Sequence, residues 1–170
     1  SRPLRGTRTL QIDRQNSGPA IGLSRPALVL KVVRGPDKRR QRRCEELRFT
    51  VGAIAGDLTI SDPTVSAIHC AFEWTEFGLM VRDLASKNGV VLEGRRVREA
   101  VVQPGDLIEL GNTAIKVLFE TELVKTPLSP RSSYGDFVGS SVSMRSLYDS
   151  LERVASKEVT VLLTGESGVG

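Results

Sequence analysis

Two short clusters carry the residue types that could do chemistry, Ser66-Ala67-Ile68-His69 and Ser86-Lys87-Asn88-Gly89. Hydroxyls, a carboxamide and one ammonium on loops suit recognition of an oxyanion together with a peptide backbone. They do not suit nucleophilic catalysis. His69 is the single histidine of the chain, and no cysteine or acidic residue stands near it at a spacing that would build a triad. Its simplest role is structural. Cys44 and Cys70 form no CxxC pair, and with one histidine they offer no metal-ligand cluster. Cys70 reads as a small core side chain. A third candidate is Gly165-Glu166-Ser167-Gly168-Val169-Gly170, which matches the first six positions of the phosphate-binding loop GxxxxGK[ST]. Glycines there let backbone N–H groups close round phosphate oxygens. The lysine and the magnesium-binding hydroxyl of that motif would be the next two residues, so these 170 residues are not expected to hydrolyse ATP.

Charge is distributed unevenly. The first 50 residues hold 13 Lys/Arg against 4 Asp/Glu, a net +9, and the remainder hold 11 against 16, a net −5. Much of the excess sits in Lys38-Arg39-Arg40-Gln41-Arg42-Arg43. Such a run can bind a phosphate backbone or an acidic partner. It has no interleaved aromatic for base stacking, and a solvated hairpin loop is the reading it favours. The composition, 39% hydrophobic and 26% charged, is that of a globular protein. No apolar run is long enough to span a bilayer, and the basic N-terminus lacks the apolar stretch of a secretory signal. A reducing, cytoplasmic setting is the expectation.

The elements that must position the two clusters are short β-branched runs separated by turn residues. Strands are expected at Ala27–Val33, Leu47–Val51, Asp57–Ile60, Ile68–Trp74, Gly78–Asp83, Leu107–Leu110 and Thr113–Phe119. Ile115, Val117 and Phe119 alternate onto one face. Asn88-Gly89 is also a tight-turn signal in its own right. Asp62, before Pro63, is placed to bond the backbone that follows and so hold the Ser66 loop. Many strands with no helical period argue for an all-β sandwich.

Four segments follow from composition. Residues 1–26 read as a mobile basic tail, in which a phosphorylated Thr9 could act as an internal ligand. Residues 27–120 hold the sandwich. Residues 121–136, with Thr126-Pro127 and Ser129-Pro130, read as a linker. Residues 137–170 turn to α/β. There Ser141 or Ser143 caps a helix striped by Met144, Leu147, Tyr148, Leu151, Val154 and Ala155. Val159–Leu163 then reads as a buried parallel strand leading into the glycine loop. A segment this short is not expected to bury an α/β core alone, so its helix should form only in part.

The central stretch resembles the forkhead-associated (FHA) domain. Gly52-Ala53 stands at that family's Gly-Arg, Ser66 to His69 at its Ser-x-x-His, and Ser86 to Gly89 at its Ser-x-Asn-Gly. The resemblance covers roughly Ala27 to Glu120. It implies an antiparallel β-sandwich that binds phosphothreonine peptides through Ser66, Lys87 and Asn88, with Gly52, His69 and Gly89 structural for the binding loops. The chain departs from the pattern at Ala53, where the family has a phosphate-gripping arginine, and at Ala67, where arginine is also common. Alanine can neither donate nor carry charge, and each lost charge-assisted bond is worth roughly 1.5–3 kcal/mol.

Phe137-Val138-Gly139-Ser140-Ser141, Met144-Arg145 and the run from Val159 to Gly170 resemble the opening of the AAA+ domain of bacterial sigma-54-dependent transcription activators. That implies a truncated P-loop segment in which Val138 and Gly139 lie near adenine and Gly165, Glu166, Ser167, Gly168, Val169 and Gly170 near phosphate. It also implies a longer parent that uses ATP and Mg²⁺ and meets sigma-54 RNA polymerase and enhancer DNA, with room for a homo-oligomer and no membrane contact. The chain itself is expected to need no cofactor. The sequence leaves three other readings open: a phosphate-independent interaction or dimerisation module, nucleic-acid contact through residues 38–43, and nucleotide binding alone.

Overall fold

Alternating buried and open side chains sort most of this chain into two sheets, antiparallel except where Val51 and Gly52 pair in parallel with Leu58 and Thr59. The structure, a computed structural model, describes residues 11–14, 21–155, 157–158 and 160–162. In chain order its elements are β1 (Gln11–Arg14), β2 (Ile21–Arg34), β3 (Gln41–Cys44), β4 (Arg48–Gly52), β5 (Leu58–Thr59), β6 (Cys70–Thr75), β7 (Gly78–Asp83) and β8 (Val90–Leu92). They continue with β9 (Arg95–Val97), β10 (Glu99–Val101), β11 (Leu107–Leu110), β12 (Thr113–Leu128), β13 (Ser133–Tyr134), β14 (Phe137–Val138) and α1 (Val142–Ala155).

One sheet runs β1-β2-β12-β11-β8-β9, with β3 also on β2; the other runs β10-β7-β6-β4-β5. The faces between them bury Leu28, Leu30 and Val32 of β2, Phe49 and Val51 of β4, Phe72 and Trp74 of β6, and Ile115 and Val117 of β12. Phe49 stacks on Phe72 with ring centroids 5.1 Å apart. This is an FHA-type β-sandwich, and it matches the all-β expectation. The strand at Gly78–Asp83 and the one at Leu107–Leu110 lie as expected from sequence.

Three features differ from the sequence reading. First, β2 and β12 run on past the sandwich as a two-stranded ribbon, Ile21–Pro26 pairing with Leu123–Leu128 after a register shift between Phe119 and Leu123. Part of the expected tail and linker is therefore strand. The ribbon buries Leu23, Arg25 and Leu128. Pro26 and Pro127 conceal it in the sequence, because proline is ordinarily confined to strand edges and irregularities. Second, the basic run is the end of a hairpin, and its later half is β3, paired with Leu28–Lys31. Third, α1 is a full helix that docks on the sandwich instead of forming in part. Ser141 caps it, its hydroxyl accepting from the Met144 N–H at 3.2 Å. Tyr148 is wholly buried and stacks against Tyr134, and Arg145 donates to the Ser129 carbonyl at 2.8 Å. Helices this short take their stability from packing, which the ribbon supplies.

Of the run expected as a buried parallel strand, residues 160–162 have no regular secondary structure, and Val161 and Leu162 are exposed. A parallel strand takes its hydrogen bonds from neighbouring strands, and the described residues place none beside it. The glycine loop Gly165–Gly170, Thr7 and Thr9 lie outside the described residues.

Candidate functional site

Strands β4, β6 and β7 each open onto a loop at one end of the sandwich. Three loops meet there: 53–57 after β4, 60–69 before β6 and 84–89 after β7. They hold one another by backbone bonds. The N–H of Ala53 donates to Ser66 O at 2.9 Å, and those of Ile54 and Ala55 donate to Ala67 O at 3.2 and 3.0 Å. Gly52 permits this approach. A Cβ there would lie 2.1 Å from Ala67 O, far inside van der Waals contact.

His69 ties the Ser66 loop to the Asn88 loop. It is wholly buried, with Nδ1 accepting from the Ser66 N–H at 3.0 Å. Nε2 lies 2.9 Å from Gly89 O. An accepting Nδ1 requires the proton on Nε2, so Nε2–H donates to that carbonyl. Both ring nitrogens are thus engaged with backbone, and neither can serve as a base. Ser66 Oγ in turn accepts from the Lys87 N–H at 2.9 Å, which leaves the Ser66 hydroxyl proton for a ligand. Asn88 Nδ2 donates to Thr64 O at 2.7 Å. The structure therefore brings Ser66, Lys87 and Asn88 together, with Lys87 and Asn88 exposed.

Ser86, the first residue of the second cluster, and Asp62, expected from sequence to hold the Ser66 loop, complete the support. Ser86 is buried, accepts from the Gly89 N–H at 2.9 Å and donates to Asp83. Asp62 accepts from the Thr64 N–H at 2.9 Å, the Thr64 hydroxyl at 2.6 Å and the Thr113 hydroxyl at 2.8 Å. Burial pushes its carboxyl upward, but the hydrogen bonds from Thr64, Thr113 and the Asn112 amide outweigh that and hold it below its ordinary range. The Asp-Pro-Thr spacing carries a readable signal for this bond; the long-range partner Thr113 does not.

Ala53 stands where the resembled family has arginine. It is half-buried and packs against the core. Beside it Ile54 is 81% exposed, and Ile68 is also open. The end of the sandwich thus presents the Lys87 ammonium, the Asn88 carboxamide and the Ser66 hydroxyl beside the apolar Ile54 and Ile68. Cys44 and Cys70 are buried free thiols; burial pushes Cys44 up to about 11 and Cys70 further still. Neither is a thiolate near neutral pH. What this arrangement can do is bind.

The basic run is largely consumed internally. Arg40 donates to Thr59 O at 2.7 Å, Arg42 to Asp57 O, and Arg43 bonds Glu120 at 2.9 Å and Glu122 at 2.6 Å. At the other end of the chain, Val138 is 81% exposed and the Gly139 N–H donates to Ser132 O at 2.9 Å.

Residues 31–120 match the family model described as "Inner membrane component of T3SS, cytoplasmic domain". Among solved structures, the FHA domain of an Arabidopsis thaliana hypothetical protein is 28% identical with a TM-score of 0.54, covering 57% of this chain and 88% of that one. The FHA domain of the CT664 protein from Chlamydia trachomatis is 23% identical with a TM-score of 0.50, covering 54% and 96%. A structure from a study of phosphothreonine-dependent FHA domain interactions is 24% identical with a TM-score of 0.51, covering 56% and 99%. Among curated proteins, the transcriptional regulatory protein ZraR of Klebsiella oxytoca is 36% identical over 72 residues, which are 41% of this chain. The match spans only 16% of that relative's length.

Proposed function

We propose that this chain, which belongs to the family of the inner membrane component of T3SS, cytoplasmic domain, is a phosphothreonine-peptide-binding sensor module. The observation that carries the reading is the His69 brace, which presents the Ser66 hydroxyl, Lys87 and Asn88 on one rigid end of the sandwich. The Ser66 hydroxyl donates to a phosphate oxygen, the Lys87 ammonium supplies charge, and Asn88 Oδ1 accepts from the peptide backbone. The phosphothreonine-dependent interactions of a similar fold support this.

On this reading residues 27–120 are the sensor and 121–136 lead from it. Residues 137–170 open the AAA+ unit of a sigma-54-dependent regulator, a longer parent in which ATP and Mg²⁺ bind. Similarity to ZraR supports the regulatory part. The parent acts in the cytoplasm on sigma-54 RNA polymerase and enhancer DNA. No helix among the described residues is long and apolar enough to cross a membrane.

The test is a titration of the full chain with a degenerate phosphothreonine library against its unphosphorylated counterpart. Binding that needs the phosphate and falls in Ser66→Ala or Lys87→Ala supports the sensor. A second reading rests on Ala53, Ala67 and the exposed Ile54 and Ile68, which suit a phosphate-independent protein contact. Equal binding of both libraries selects it.

A further inference from the structure

We propose that the cleft beside the Ser86 loop, where the chain crosses from β9 to β10, binds a second anionic group of the same peptide, a carboxylate or a phosphate. This rests on the phosphopeptide reading above. Strand β9 is the edge of one sheet and β10 the edge of the other. The crossing therefore passes the open side of the sandwich at the recognition end. There Arg98 O accepts from the Asp83 N–H at 2.8 Å. The cleft, about 860 Å³, is lined by Arg82, Asp83, Ser86, Arg96, Arg98 and Glu99, among others. It is roomy enough for peptide side chains as well as an ion.

The lining sets the sign of this cleft, because its three arginines outnumber its two carboxylates. Glu99 is paired by Arg82 at 2.9 Å, and Asp83 accepts only from the neutral Ser86 hydroxyl. Arg96 and Arg98 are exposed and have no ion-pair partner among the described residues. Two uncommitted guanidinium groups thus face the back of the loop that carries Lys87 and Asn88. One of them touches it. A Cβ on Gly89 would lie 2.3 Å from Arg96 Nε and 2.9 Å from Nη2, so the guanidinium rests directly on that backbone. Gly89, at φ +77°, leaves the room and adopts the left-handed turn. Guanidinium forks match carboxylate and phosphate geometry. Charge missing at Ala53 is in this way available from a different strand, displaced to the peptide's flank. Because the cleft is open to water, screening limits the gain to about tenfold in affinity.

The experiment titrates the full chain with a phosphothreonine peptide carrying, at each flanking position in turn, a neutral residue, glutamate or phosphoserine. One position should tighten binding about tenfold over the neutral peptide, and the double variant R96Q–R98Q should lose that preference. A larger gain from phosphoserine identifies a second phosphate; an equal gain identifies a carboxylate site. R96E–R98E should invert the preference toward lysine-flanked peptides. No gain in the native chain, or a gain that survives in R96Q–R98Q, overturns the proposal. If no phosphothreonine peptide binds at all, the sensor reading itself has failed, and inorganic phosphate then decides the cleft separately. Amide NMR shifts at Ser86, Arg96 and Arg98 that vanish in R96Q–R98Q keep an anion site; their absence in the native chain removes it.

Discussion

The two ends of this sandwich are held by different physics. At the recognition end, loops 53–57, 60–69 and 84–89 touch mainly through hydrogen bonds: His69 to Ser66 and Gly89, Asp62 to Thr64 and Thr113, Ser86 to Asp83 and Gly89. At the other end, the ribbon and α1 are held chiefly by area. Tyr148, Leu23 and Leu128 are buried there, and Arg25 lies wholly buried with its guanidinium 5.5 Å from the Trp74 ring centre. Directional bonds define positions to a fraction of an ångström, whereas apolar burial is tolerant of shape. A site that must aim donors at a ligand is built from the first kind, and a docking surface from the second.

Breaking the polar end should cost most. His69→Ala removes both bonds of the brace and leaves a buried hole and an unpaired Gly89 carbonyl. Unfolding in denaturant should show a loss of about 3–5 kcal/mol, with the loop amides disordered by NMR. A loss under about 1 kcal/mol would show that the loops do not depend on the brace. At the apolar end, Tyr148→Ala should cost about 3 kcal/mol, but locally. Hydrogen exchange should accelerate through α1 while β6 and β7 stay protected. Tyr148→Phe should change little, because the hydroxyl has no hydrogen-bond partner.

The polar end also responds to acid. Asp62 is held below its ordinary range in the fold, so the unfolded chain takes up its proton first as acid is added. Its stabilisation is complete above the unfolded value of about 3.9 and is lost as pH falls through the lower folded value. Asp62→Asn should therefore flatten the stability profile below about pH 4 and cost about 1–2 kcal/mol at neutral pH. An unchanged acid limb would assign the bond to Thr113 no energetic role.

The smallest effect is the sharpest contrast. Arg25 is as buried as His69, but its Nε and Nη1 lack partners and its guanidinium is lowered to about 10 by burial, against the opposing pull of Glu46 and Cys44. Replacing an incompletely satisfied buried charge with an apolar chain of similar length tends to be neutral or stabilising. Arg25→Met should shift stability by no more than about 1 kcal/mol in either direction. A large loss would mean that the bond to Glu45 O, rather than packing on Trp74, holds the ribbon.

Much of the recognition end is legible because its determinants are local. Ser66 to His69 spans one turn, Asp62 bonds a residue two positions on, and Ser86 bonds one three positions on. Periodicity over a few residues likewise locates β7 and β11. The ribbon is not legible, since Pro26 and Pro127 mask a pairing between segments about a hundred residues apart. Nor is the docked helix. Its stripe predicts an apolar face, but only the ribbon shows what covers that face. Arg96 resting on Gly89 also depends on the strand pairing that sets β9 beside β8.

By itself, then, the sequence determined the strand period, the turn chemistry and the residue types at the recognition loops, all of which depend on neighbours within a few positions. The tertiary structure alone decided which charges stay free. Arg40, Arg42 and Arg43 look available in the sequence and are consumed by Thr59, Asp57, Glu120 and Glu122; Arg96 and Arg98 look ordinary and are left uncommitted at the edge of the cleft. The reason is that a charge is neutralised by whatever the fold sets within a few ångströms of it, and that distance bears no relation to separation along the chain.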